Sequence, residues 1–289
     1  MNVLINADKR RAYWALIRAD KPIGIWLLLW PTLWALWIAG NGSPSMTLVI
    51  IFSLGVVLMR SAGCIANDLA DQRFDGHVSR TRNRPLVSGA INRREALICL
   101  SFLVFWAFCL VCFTNLFTMQ LAMVALALAL LYPFAKRFIR APQVILGLAF
   151  SWSVIMAFAA QTDRVPLAAW VLYVAVNLWV IAYDTFYALV DKDDDLGIGI
   201  HSTAIWFGKY ARLWTALLQL SCLFLLAICG VLFDLGVTYY SGLIITALLF
   251  GYQQWLIRRY QPEQCFKAFC HNHWVGMTIF IALFFDYHF

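Results

Sequence analysis

Charge is scarce in this chain of 289 residues: Asp, Glu, Lys and Arg together make up 13% of it. A soluble domain of this length does not leave so little polar surface for water, so a soluble fold is excluded. Cysteine offers no framework either. The eight cysteines lie mostly inside apolar runs, which argues against a set of disulfides. Cys109 and Cys112 form a CxxC, but in the middle of an apolar run, where a packing role is expected. The stretch CFKAFCHNH, from Cys265 to His273, lacks the paired spacing of a zinc site and is read as an interfacial loop. No cleavable leader is expected: the first 21 residues are polar and basic, and the apolar run after them is of spanning length.

Apolar residues fill the rest. They make up 63% of the chain, and the mean hydropathy is +0.75. Several runs reach the roughly 20 residues that a helix needs to cross a bilayer. The expected fold is all-α and polytopic. Nine transmembrane helices are expected at 23–40, 46–66, 95–114, 117–134, 143–160, 167–188, 213–233, 237–257 and 273–288. Two connections are long, 67–94 and 189–212, and both are rich in polar residues. They are expected to cap one end of a single domain, 1–289.

Twenty of the 22 basic residues fall in the N-terminal segment and in the loops on its side of the membrane. By the positive-inside rule the N-terminus is cytoplasmic, and nine spans put the C-terminus on the far side. The net charge of +7 is therefore an orientation signal, and no nucleic-acid partner is expected.

Acidic residues are fewer still, and eight of the 15 sit in two short windows. One holds Asp68, Asp71 and Asp75; the other holds Asp184, Asp191, Asp193, Asp194 and Asp195. On a helix Asn67, Asp71 and Asp75 recur at i, i+4, i+8, and Asp184, Asp191 and Asp195 at i, i+7, i+11, so each set shares a face. Both windows end a span that runs toward the cytoplasm, the second and the sixth. They thus sit at similar depth, as in a parallel internal repeat. One such cluster alone is as readily a solvated helix end near the headgroups.

Carboxylates this close repel, and charge at membrane depth costs about 2.5–3.5 kcal/mol per residue. Divalent cations remove the conflict, and oxygen ligands that include an Asn suit Mg²⁺. Mg²⁺ normally keeps substrate phosphate oxygens in its shell, so two facing sets would grip a diphosphate. The basic residues Arg80, Arg82 and Arg84, then Lys136 and Arg137, then His201 with Ser202, Thr203 and Lys209, complement phosphate oxygens. Positive-inside sorting accounts for any one of them equally well.

The pattern NDxxDxxxD at 67–75 is followed by VSRTRNRPLVSG at 78–89, then YDTFYALVDKDDD at 183–195 and GIHSTAIWFG at 199–208. With RADKPIG at 18–24, YPFAKR at 132–137 and Pro142–Gln143, it resembles the UbiA-type intramembrane prenyltransferases along nearly the whole chain. The likeness is greatest to the branch that acts on 4-hydroxybenzoate in ubiquinone biosynthesis. It implies nine helices around a central cavity under a polar cap. It implies Mg²⁺-dependent transfer of a long isoprenoid from polyprenyl diphosphate to the ring carbon ortho to the phenol hydroxyl. By the same resemblance, Asn67, Asp71 and Asp75 would serve one ion. Asp191 and Asp195 would serve the other, with Asp184 in support. His201 stands where the family often has Lys, so a charged contact to diphosphate is not expected there.

Chemically, Asp71, Asp75 and Asp191 are the candidate catalytic residues. Asp191 would orient the phenol or accept its proton, and Arg137 would hold the benzoate carboxylate. The diphosphate contacts would be Arg82, Arg84, Lys136, Arg137 and Lys209. The expected partners are the two substrates, membrane lipid and neighbouring enzymes of ubiquinone synthesis, at a bacterial inner membrane. Other readings stay open: a homogentisate, naphthoate or porphyrin acceptor; a cation-coupled transporter, whose sites usually lie at mid-membrane on broken helices; and a lipid-headgroup phosphotransferase, whose fixed Asp-Gly spacing is absent.

Overall fold

In the computed structural model, residues 7–72, 81 and 83–289 are described. The expected positions Arg73, Asp75, Arg80 and Arg82 lie outside them. The order is α1 (Ala7–Leu16), α2 (Ile23–Ala39), α3 (Met46–Asp71), α4 (Arg93–Val111), α5 (Leu116–Phe138), α6 (Pro142–Thr162), α7 (Leu167–Val190), α8 (Lys192–Ile198), α9 (Thr203–Phe207), α10 (Ala211–Leu232), α11 (Val237–Leu256) and α12 (Pro262–His288). Two 3₁₀ turns, Gly208–Tyr210 and Ile257–Arg259, sit at the start of α10 and the end of α11.

Seven helices among the described residues are long and apolar enough to cross a membrane: α3 to α7, α10 with the turns before it, and α12. The α2 helix is apolar but shorter. The α11 helix is diluted by Tyr239, Tyr240, Gln253 and Gln254 and is not among the seven. All nine expected spans fall on helices, and seven of these have the length and composition to cross a bilayer.

Helix starts follow local chemistry. Asn92 caps α4 in a reciprocal box: its side chain accepts from Glu95 N at 2.9 Å, and its own N–H donates to Glu95 Oε2 at 3.0 Å. Asn115 caps α5 by accepting from Thr118 N at 2.8 Å. Pro142 and Pro262 open α6 and α12, where a missing N–H costs nothing.

The start of α12 corrects the sequence reading. The Cys265–His273 stretch is not a loop but the first turns of α12. Cys265, Ala268, Phe269, Asn272, Val275, Gly276 and Ile279 are buried at helical spacing, so the stretch packs as one face.

The bundle is organised around α7, which packs on α6, α10 and α12. Its Trp179 stacks on Trp34 of α2, ring centroids 5.3 Å apart. Trp179 Nε1 donates to Asn272 Oδ1 at 2.8 Å, and Trp34 Nε1 donates to Gly276 O at 2.9 Å. Both of these buried indole N–H groups thus have a partner, as an environment without water favours. Gly276 is needed for close approach: a methyl there would lie 2.5 Å from the Trp30 ring. Gly276→Ala is therefore expected to push α12 off α2 and destabilise the protein by about 1–3 kcal/mol. Thermal unfolding of the purified protein in detergent measures it, and an unchanged Tm would show that the helix pair does not depend on this contact.

Candidate active site

One cavity of about 1000 Å³ runs into the bundle. Its polar end is built from the C-terminal ends of α3 and α7. Asn67, Asp68 and Asp71 line it from one side, and Asp184, Asp191 and Asp195 from the other. The remaining walls are apolar, with Ala107, Val111, Met119, Leu126 and Phe150 among them. The structure thus brings the two acidic windows to one space, as their spacing predicted.

The local geometry differs from the prediction at the second window. The α7 helix does not continue through Asp195. It stops at Val190, and Asp191 takes φ −101°, ψ 9° before α8 begins. Asp195 N still donates to Asp191 O at 2.9 Å, so the two stay one turn apart. The break places Asp193, Asp194 and Asp195 in the first turn of a new helix, where the N-terminal partial charge favours acidic side chains. A continuous helix would have put the same charges at a C-terminus, where the dipole opposes them.

A buried joint holds the second window in place. Thr185 and Thr203 share a hydrogen bond at 2.7 Å, and Thr203 N donates to Gln143 Oε1 at 3.0 Å. Ser202 caps α9. Thr185, Gln143, Ser202 and Thr203 all come from the quoted motifs, and here they join α7, α6 and α9. For Thr203, read in sequence as a phosphate contact, the observed partners are structural.

The first window is tied down differently. Asp68 is 1% exposed and meets two guanidinium groups. Arg18 Nη2 donates to its Oδ1 and Oδ2 at 3.0 and 3.2 Å, and Arg84 Nη1 lies 3.1 Å from Oδ1. Arg84 therefore lines the cavity while anchored to α3. Arg18 has φ +58°, the left-handed conformation that ends α1. Gln72 Nε2 donates to Leu86 O at 3.2 Å, which ties the segment after Arg84 to the same helix end.

Sequence reasoning passed over Arg60, seeing only a cation within a span. Arg60 lines the cavity from α3, two turns before Asn67. Its Nη1 lies 2.6 Å from Cys64 Sγ, its guanidinium is 5.9 Å from the centre of the Phe150 ring, and its buried Nε has no hydrogen-bond partner among the described residues. Tyr132, Tyr183, Tyr187 and Asp184 lie within its electrostatic range. Gly24, from the RADKPIG stretch, leaves room for it: a methyl on Gly24 would collide with the guanidinium. The available signal was a lone Arg in the middle of an apolar span, too little to find it.

Other expected contacts are placed elsewhere. Arg137 Nη2 donates to Ala70 O at 2.6 Å, and Arg137 is not among the cavity-lining residues. Lys209 lines a separate shallow concavity near the start of α10. Lys136 belongs to α5. His201 does line the main cavity.

Among the described residues no three His, Cys, Asp or Glu side chains converge as a ready-made metal cage. The donors that the two acidic windows bring to the cavity are nonetheless all hard oxygens: the Asn67 amide and the carboxylates of Asp71, Asp184, Asp191 and Asp195, beside the paired Asp68. Such a set fits a cation that takes one or two carboxylates and fills its shell with water and phosphate.

The fold and this cavity define a helical membrane protein with an acidic cavity mouth and much apolar wall below it. The chain belongs to the UbiA prenyltransferase family, which residues 28–283 match. It is 54% identical over 95% of its length to the 4-hydroxybenzoate octaprenyltransferase of Saccharophagus degradans, of which it covers 92%. A UbiA homologue from Aeropyrum pernix K1 superposes with a TM-score of 0.80 at 26% identity, over 90% of this chain and 97% of that one. A homologue from Archaeoglobus fulgidus bound to GPP and Mg²⁺ shares the fold, with a TM-score of 0.73 at 17% identity over 94% and 99% of the two chains.

Removing the Asp68 carboxylate should leave Arg18 and Arg84 without their partner. Asp68→Asn is expected to cost about 1–3 kcal/mol, allowing for the partial exposure of both arginines. The loss should appear as a lower Tm in detergent and should shrink in Arg18→Gln, where one of the two pairs is already gone. Equal losses in both backgrounds would mean the pairs do not act together.

Proposed function

We propose that this chain transfers a long polyprenyl group from polyprenyl diphosphate to C3 of 4-hydroxybenzoate, giving 3-polyprenyl-4-hydroxybenzoate for ubiquinone synthesis. The observation that carries the reading is the single cavity that gathers Asn67, Asp71, Asp184, Asp191 and Asp195 at one end and offers apolar walls below. The near full-length identity to an octaprenyltransferase supports the choice of acceptor.

The chemistry needs three things. The allylic C–O bond must break with its electrons moving to the diphosphate. The allylic cation must be kept from water. The ring carbon ortho to the hydroxyl must then attack and lose its proton. Asn67 and Asp71, with Asp75, would hold one Mg²⁺, and Asp191 and Asp195, supported by Asp184, the other. When bound, Mg²⁺ neutralises the charge that develops on the leaving diphosphate. Arg84, already at the mouth, meets phosphate oxygens alongside Arg82 and Lys136. Asp191 would hold the phenol hydroxyl and take its proton as the ring attacks, then return that proton to the oxygen as the ring carbon loses its own to diphosphate or water, so that one proton leaves in all. Tyr132, Tyr187 and Phe150 face the cavity, where aromatic surfaces favour a passing cation.

For the benzoate carboxylate we assign Arg60 in place of Arg137. A buried guanidinium with an orphaned N–H in the cavity wall is suited to an anionic ligand, whereas Arg137 is committed to Ala70 O outside the lining. The protein works as one domain in the bacterial inner membrane, with its N-terminus and the acidic cavity mouth on the cytoplasmic side.

The test uses membranes carrying the chain, a long-chain prenyl diphosphate, 4-hydroxybenzoate and Mg²⁺, with the prenylated acid read by mass spectrometry. Asp71→Ala and Asp191→Ala are each expected to lower turnover by about a hundredfold or more. Arg60→Ala is expected to raise the KM for 4-hydroxybenzoate about tenfold to a hundredfold, well beyond the effect of Arg137→Ala. Diphosphate release with other phenols but not with 4-hydroxybenzoate would keep the reaction class and discard the acceptor. No diphosphate release with any acceptor would discard the reaction.

A further inference from the structure

The basic residue that sequence reasoning assigned to diphosphate, Lys209, belongs to another arrangement. At the mouth end of the bundle, where α10 starts and α11 ends, Lys209, Tyr210, Arg212, Leu213, Arg258 and Tyr260 line an open concavity of about 510 Å³. Three exposed cations share this hollow. No carboxylate pairs with any of the three among the described residues.

The hollow is built. Tyr260 Oη donates to Lys209 O and accepts from Arg212 N, both at 3.1 Å, so one side chain fixes the backbone that carries two of the cations. Tyr260 itself has φ +53°, which turns the chain back after the 3₁₀ turn at Ile257–Arg259. Arg258 is stacked 4.1 Å from the centre of the Trp255 ring, and its Nη1 donates to Trp255 O at 3.0 Å. Lys209 Nζ lies 5.1 Å from the centre of the Tyr210 ring. These contacts hold like charges near one another at a cost in repulsion that an anion would relieve.

The surroundings say what kind of anion. Leu213, Trp214, Leu217 and Trp255 are exposed directly along the helices below the hollow. In a membrane-spanning bundle that surface faces acyl chains, and the aromatic side chains mark the interface. An anion seated here sits at headgroup level with an apolar body beneath it. We infer that Lys209, Arg212 and Arg258 form a headgroup site for an anionic phospholipid, separate from the acidic cavity. Basic hollows between transmembrane helices on the cytoplasmic side suit phosphate diesters for this reason. The site does not depend on which aromatic acid the enzyme prenylates, so its failure would leave the proposed reaction untouched.

Native mass spectrometry of the full-length protein in mild detergent tests it. The probes are phosphatidylglycerol and phosphatidylcholine with the same acyl chains. The unaltered chain is expected to retain phosphatidylglycerol in preference to phosphatidylcholine. The variant Lys209→Gln/Arg212→Gln/Arg258→Gln should retain about tenfold less of it. Arg258→Gln alone, an exposed change that leaves the Tyr260 contacts in place, should show a smaller drop in the same direction. Arg93→Gln/Arg94→Gln, which removes exposed charge elsewhere at the bundle end, should retain the lipid as the unaltered chain does. Equal loss in that control would reduce the effect to diffuse surface charge and overturn the site. Equal retention by the triple variant, or no preference between the two lipids, would also overturn it. Displacement of the lipid by low millimolar inorganic phosphate would point to a free-anion site instead.

Discussion

Negative charge gathered in a place with little water is the constraint on which the rest of this structure depends. The ends of α3 and α7 bring six carboxamide or carboxylate side chains to one cavity: Asn67, Asp68, Asp71, Asp184, Asp191 and Asp195. At an effective dielectric near 20, two carboxylates 4 Å apart repel by about 4 kcal/mol. The protein answers in more than one way. Asp68 is neutralised by Arg18 and Arg84. Asp184 has Arg60 within electrostatic range. Asn67, Asp71, Asp191 and Asp195 line the same cavity, and in the proposed reaction they would hold the cations that come with the diphosphate.

The same constraint accounts for the architecture around the mouth. A helix ending in the run Asp191 to Asp195 would carry its charge where the dipole is least favourable. Breaking at Asp191 and restarting at Lys192 reverses that sign. A break, however, releases the segment from α7, and something must hold it. The buried bonds from Thr203 to Thr185 and Gln143 do so from two other helices. The first window needs no such joint because α3 runs unbroken through Asp71, and there the tether is ionic, from Arg18 and Arg84. The two acidic windows thus reach one cavity held by different interactions.

Much of this was legible in the chain. Apolar runs located helices α2 to α7 and α10 to α12 among the described residues, seven of them of spanning length and composition, because in a bilayer both are forced. The pairing of the acidic windows followed from their equivalent places on the second and sixth spans. The start of α12 was missed because its first turns are polar on one face, and a hydropathy reading averages over faces where a helical period would have shown Cys265, Ala268, Phe269 and Asn272 in register. Thr203 and Gln143 were missed as a joint because motif residues invite a chemical reading, and nothing in sequence distance brings 143 beside 203. Arg137 and Lys209 were assigned by charge alone. Every loop at that end is basic, so charge could not separate residues that line the cavity from those outside its lining.

Arg60 shows what a buried cation in this position requires. An ammonium group placed among Phe150, Cys64 and Tyr183 would readily lose its proton, since desolvation disfavours the charged form. A guanidinium keeps its charge under the same conditions, because its intrinsic pKa is far higher and the charge is delocalised. It is also planar, so it can lie flat against the wall and still direct an N–H into the cavity. Flatness needs room, and Gly24 supplies it where any larger residue would collide with the group. The glycine near the start of the first long helix and the arginine in the middle of the second are therefore one feature. Together they place a permanent positive charge in the cavity wall two turns before Asn67. In the proposed reaction that charge would draw the carboxylate of the acceptor inward to Arg60 and turn its hydroxyl and reactive ring carbon toward Asp191, where the diphosphate would depart.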